Sequence, residues 1–152
     1  MTYRLSAKLT QFLMALAMTW SILVLCTPAE AKIRKITAKV DISEQRMKVF
    51  VNGVHKQTFK VSTGARGYRT PTGSWKPTRM HKMWYSRKYD MAPMPHSIFF
   101  HRGYAVHATN AIKRLGRPAS HGCIRLHPDN ARKFFKLVMA AGRANTSITI
   151  QK

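Results

Sequence analysis

A mainly β, single-domain fold with one C-terminal helix is what this sequence predicts. Three observations carry it. Residues 36–61 alternate apolar and polar side chains around an Asn-Gly turn. Only the stretch after residue 128 shows clear helical spacing. The 152-residue chain has no internal repeat and no composition break, and such a length suits about one domain.

The elements follow in chain order. Residues 1–31 read as a secretory signal peptide. Arg4 and Lys8 precede a mostly apolar run from Leu9 to Leu25, Thr27-Pro28 breaks it, and Ala29-Glu30-Ala31 offers small residues at a cleavage point. A retained anchor is the rival reading, but Gln11, Thr19 and Ser21 interrupt the run, which is marginal against the ~20 residues of a bilayer span. Leu25 directly before Cys26 argues against lipid attachment there. The expected product is an exported domain, residues 32–152. It loses Arg4, Lys8 and Glu30, so the formal charge falls from +22 to +22 − 1 = +21. It keeps Cys123 as its one cysteine. An oxidising compartment is therefore expected for a chain that can form no internal disulfide.

Ile36, Ala38, Val40 and Ile42 share one face of a first strand, because side chains alternate with a period of two. Ser43-Glu44-Gln45 turns the chain, and Met47, Val49 and Val51 mark a second strand. Asn52-Gly53 suits a two-residue turn with positive φ at both positions, and Val54–Val61 returns. Ser62–Gly67 and Thr70–Gly73 have loop composition. Residues 76–97 have no clean period and are rich in Met, aromatic and basic residues. They read either as a lid over a substrate or as a cap on the sheet. Ile98–Phe100 and Tyr104–His107 read as strands joined at Arg102-Gly103. A helix spans 129–141, with Ala131, Phe134, Phe135, Val138 and Met139 on one stripe, Pro128 in its first turn and Gly142 as its stop. Ser147–Ile150 closes with a short strand.

The chemistry concentrates in Val106-His107-Ala108-Thr109 and Ser120-His121-Gly122-Cys123-Ile124-Arg125-Leu126. A thiol becomes a nucleophile when its thiolate is stabilised, typically by an imidazole. His121 is near Cys123 in sequence, and His107 ends a strand that the fold can bring alongside. Spacing leaves the base open between them. Gly122 permits a tight turn that can aim successive N–H groups at one point, as an oxyanion hole requires. Arg125 adds a cation able to hold a carboxylate or carbonyl. The bland alternative is a buried, inert cysteine.

His107, a gap of twelve residues and then Ser120-His121-Gly122-Cys123-Ile124-Arg125-Leu126 resemble the signature of the L,D-transpeptidase catalytic domain, the YkuD family. Val61-Ser62-Thr63-Gly64, Thr70-Pro71-Thr72-Gly73 and Met94-Pro95 with Ser97–Phe100 are similar to the family's upstream segments. The resemblance implies a sandwich-like β domain with Cys123 as nucleophile and His107 as proton acceptor and donor. His121 would support the site by hydrogen bonding, and Ser120 would brace the loop. Backbone N–H groups near Gly122 and Cys123 would form the oxyanion hole. Ser120, Gly122 and Arg125 complete the expected substrate-binding set. Ala108 departs from the glycine common after this histidine, so its methyl is expected to narrow the cleft or alter the carbonyl that orients His107.

The function so implied is that of an exported enzyme acting on peptidoglycan stem peptides in the periplasm or cell envelope. The thiolate would attack the amide before a terminal D-alanine, which leaves. The thioester would then pass to an amine of another stem peptide or of an envelope-protein lysine. With water as acceptor the same site would be a carboxypeptidase. No cofactor is required. The seven histidines show no H-E-x-x-H or similar pattern, so no metal site is expected. The excess of basic residues excludes an acidic mimic and points to an anionic wall or membrane surface. The export signal and the lack of a recognition motif argue against nucleic acid. A rival from another class is a non-catalytic basic envelope- or peptidoglycan-binding protein. A thiol that labels fast near neutral pH would separate the two.

Overall fold

The computed structural model describes residues 32–152, so the expected leader lies outside the described residues. Strands β1 (Ile36–Asp41), β2 (Arg46–Val51) and β3 (Val54–Ser62) form the meander that the alternation predicts. Ile36, Ala38, Val40, Met47 and Val49 are fully buried, while Lys39 and Lys48 between them face outward. Asn52 and Gly53 turn the chain with φ of 51° and 84°.

Residues 76–97, where the sequence shows no clean period, and the Gly73 end of the preceding loop contain short elements. These are β4 (Gly73–Trp75), β5 (Arg79–His81), β6 (Tyr85–Ser86), a 3-10 turn at Arg87–Tyr89 and β7 (Ala92–Pro93). Strands of two or three residues are too short for a period to register in sequence. The hairpin β8 (Ser97–His101) and β9 (Tyr104–Ala108) follows, then β10 (Ile124–Leu126), helix α1 (Pro128–Ala141) and β11 (Thr146–Gln151).

Nine strands make one sheet in the order β4-β11-β1-β2-β3-β10-β9-β8-β5, and β6 pairs with β7 apart from it. The long strand β3 joins the halves. It pairs with β2 along its length, and Val61 and Ser62 at its end pair with Leu126 and Arg125 of β10. The sheet curls, so that residues of β1–β3, β8–β10 and β11 meet in a single core with α1. Among the named strands of the described residues, β1 pairs parallel with β11 and β9 with β10.

Helix α1 starts where Pro128 supplies a preset φ and the His127 ring nitrogen accepts from the Asp129 N–H at 3.3 Å. It ends at Gly142, φ 85°. Ala131, Phe134, Phe135 and Val138 are buried as the stripe predicts. Met139 is not: it is 60% exposed, and Ala141 is buried instead. At 100° per residue, position 139 lies about 80° around from 131, at the margin of the apolar face.

Candidate active site

Strand period and register assemble the site. In β9, Val106 and Ala108 enter the main core, which turns the alternate residues Ala105 and His107 to the opposite face. In β10, Ile124 and Leu126 enter the core, which turns Arg125, with Cys123 just before the strand, to that same opposite face. The parallel register sets Ile124 against Val106 and Arg125 against His107. Cys123 therefore packs with Met94, Phe99, Ala105 and Trp84 in a satellite cluster. Cys123, His107, His121 and Arg125 line one cavity of about 620 Å³. A second cavity, of about 780 Å³, also reaches Cys123 and His121.

His107 is 6% exposed. Its Nδ1 lies 2.7 Å from the carbonyl oxygen of Ala108. A carbonyl only accepts, so the ring proton sits on Nδ1 and Nε2 keeps the lone pair of the neutral ring. Burial lowers the His107 pKa to about 4, against the pull of the Ala108 hydrogen bond and with help from Arg125. Burial also pushes the Cys123 thiol up, partly offset by a backbone hydrogen bond from Ala105 and by Arg125. Burial thus favours the neutral form of each group, the opposite direction from a thiolate stabilised at rest.

The loop before Cys123 is held by hydrogen bonds. Ser120 Oγ donates to the Cys123 carbonyl at 2.6 Å and accepts from the Gly122 N–H at 3.0 Å. Ser120 braces the loop as expected. Neither it nor Gly122 is among the residues that line the two cavities. The Gly122 N–H is engaged by Ser120 and is not offered to an oxyanion. Gly122 has φ 105°, and a Cβ there would lie 2.5 Å from Tyr104, so the position requires glycine on both counts. Arg125 lines the first cavity, and its Nη1 donates to the Ala119 carbonyl at 3.0 Å.

His121 sits between two tyrosines. Tyr89 stacks on it at 4.5 Å between centroids, and Tyr68 meets it edge-on at 4.4 Å. Ring contacts, not the expected hydrogen bond, hold it. The Ala108 methyl packs in the main core, on the face opposite His107, so it does not narrow the cleft. The Ala108 carbonyl still orients the imidazole.

Sequence reasoning missed the strap behind the loop. Buried Gln45, φ 52°, donates through Nε2 to Thr63 Oγ1 at 2.6 Å and to the Ile42 carbonyl. Its Oε1 accepts from the Thr63 N–H at 2.9 Å. The Thr63 carbonyl accepts from the N–H groups of Ala119 and Ser120. A glutamine in a polar turn carries no sequence signal of such a bond. Of residues 76–97, Trp84 and Met94 pack in the satellite cluster, and Ser86–Asp90 with Ala92 and Pro93 wall the cavities.

A chain of this curled β architecture has known counterparts. The L,D-transpeptidase catalytic domain (YkuD) matches residues 35–150, and the chain belongs to that family. Similar solved structures include an L,D-transpeptidase from Mycobacterium smegmatis (TM-score 0.68, 23% identity, covering 78% of this chain and 59% of that one). Another is the L,D-transpeptidase (Yku) from Stackebrandtia nassauensis (0.67, 24%, covering 83% and 62%). A third is L,D-transpeptidase 3 from Mycobacterium tuberculosis in complex with a faropenem-derived adduct (0.67, 21%, covering 77% and 60%). The chain therefore spans about three-fifths of the length of these relatives. A comparison with curated proteins finds no match.

Proposed function

We propose that this chain is an exported cysteine L,D-transpeptidase acting on peptidoglycan stem peptides through a thioester on Cys123. The observation that carries this reading is the shared cavity of Cys123 and His107, with the imidazole tautomer fixed by Ala108. In the proposed cycle, His107 Nε2 takes the thiol proton as sulfur attacks the scissile amide carbonyl. The imidazolium then protonates the departing D-alanine amine. An acceptor amine attacks the thioester and gives a proton to His107, which passes it to the departing sulfur and so restores the thiol. Burial favours the neutral form of both groups, so proton transfer accompanies attack in this cycle.

Arg125 is the cation beside the pair and also fixes the loop through Ala119. The acceptor is an amine of a second stem peptide or of an envelope-protein lysine. Incubation of the full chain with purified muropeptides, followed by mass analysis, tests the reading. Expected products are free D-alanine and a new amide. D-alanine with no new amide points to water as acceptor, and unchanged substrate overturns the proposal. Faropenem is a second probe, expected to add mass to Cys123 and not to a Cys123→Ala chain.

A further inference from the structure

Two cavities meet at Cys123, and Lys88 lines both. The smaller one is walled by Ala92, Pro93, Met94 and Pro95 and holds Asp90 beside Lys88 and Arg125. The larger carries Arg69, Arg79, Arg87 and Lys88, and no Asp or Glu lines it. In so basic a chain, cations alone would mean little. Arg79, however, is seated. Its guanidinium carbon lies 4.1 Å from the centre of the Phe99 ring and 5.1 Å from that of Trp84. Both rings belong to the cluster that packs Cys123.

A guanidinium placed over aromatic rings can still offer N–H groups, and these match a carboxylate in a two-bond fork. Among the described residues Arg79 has no carboxylate partner, since both salt bridges there use Asp129. Cations gathered in a recess without counter-charge repel one another until an anion enters.

The geometry points to the larger cavity as a carboxylate-binding arm of the site, with Arg79 as its fixed donor and Arg69, Arg87 and Lys88 around it. It takes a peptide with free carboxylates and discriminates against the same peptide with those groups amidated. This rests on the peptide-transferring function above and names the chemistry of its substrate.

The test is equilibrium binding to the full chain carrying Cys123→Ala, which separates recognition from acylation. The probes are a synthetic stem tetrapeptide with free carboxylates and its amidated counterpart. The free form should bind roughly tenfold more tightly, the scale of a charge-assisted hydrogen bond. Arg79→Gln should bring the two affinities together, and exposed Arg87→Gln should narrow the gap without touching the aromatic seat. Lys48→Gln, on the outer face of the sheet, should leave the ratio unchanged and so exclude a general charge effect. Equal affinities, no binding of either peptide, or a ratio that survives Arg79→Gln would overturn the arm. Thioester formation by the unsubstituted chain, read by intact mass, reports separately on the function it rests on.

Discussion

His107 is the residue whose environment has the clearest measurable consequence. Its pKa falls from the ordinary 6.5 to about 4 because the ring is buried. Between those values the unfolded chain holds a proton that the folded chain does not. Stability should therefore fall as pH drops from about 6.5 to about 4 and level off below. The loss approaches about 3 kcal/mol, at 1.36 kcal/mol per pKa unit. His96, also lowered by burial and by Arg132 and Lys136, adds to the same window. The difference between wild type and His107→Gln in urea midpoints across that range isolates His107, and identical pH slopes would refute the assignment. The raised thiol pKa predicts slow iodoacetamide labelling of the substrate-free chain at neutral pH, so turnover of muropeptides, and not labelling, separates the enzyme from a non-catalytic binder. Rapid neutral labelling would mean a thiolate at rest. For turnover, His107→Ala should lose about 10²–10⁴-fold, the cost of a general base. His121→Ala should lose less, because its ring contributes contacts with Tyr68 and Tyr89; the opposite order would exchange the roles.

At the scale of elements, the strap from Gln45 through Thr63 to Ser120 is the part most exposed to test. Gln45→Ala leaves the buried Thr63 N–H without its acceptor, a loss of about 1–3 kcal/mol. The measurement is a denaturant midpoint, alongside acylation rate, since the same strap positions the cysteine loop. A midpoint unchanged from wild type would show that the strap carries no load. The strap also marks where the sequence was legible and where it was not. Period-two alternation made β1, β2 and β3 readable, because one face of each meets the core and the other meets water. Strand β9 was readable only as apolar, since Ala105, Val106, His107 and Ala108 are all buried. Its parallel pairing with β10 was not legible, because register depends on a partner far away in sequence. Strands β4 to β7 are too short to show a period. At the site, Cys123 and His107 were visible as a motif. The tyrosine clasp on His121 was not, because Tyr68 and Tyr89 come from segments whose geometry no local pattern sets.

For the whole molecule, the outer sheet face is the feature that composition foretold. Lys39 lies directly opposite Lys48, and Arg46 opposite Lys60, arrangements that cost stability when unneutralised. If this face meets an anionic surface, binding to isolated cell walls should weaken steeply with added salt, since exposed charges are screened beyond about 8–10 Å at physiological ionic strength. Salt-independent binding would place recognition in the cavity instead. The expected boundary after Ala31 is tested with a chain starting at Lys32, which should show the cooperative unfolding of one domain; an unfolded product would refute it.

The position of β11 carries a last consequence. The strand made last lies between β1, made first, and β4, and Ile36 pairs with Thr146 across nearly the whole domain. Until Thr146–Gln151 has emerged, the edge of β1 has no neighbour on that side. The growing polypeptide thus lacks a closed sheet through most of its synthesis, and contacts of such long range form slowly. Ribosome-bound chains halted before Thr146 should be digested readily by protease, whereas chains extended past Lys152 by a linker long enough to clear the exit tunnel should resist. For the export proposed above, a domain that closes only with its final strand would offer an extended chain for threading through a narrow channel.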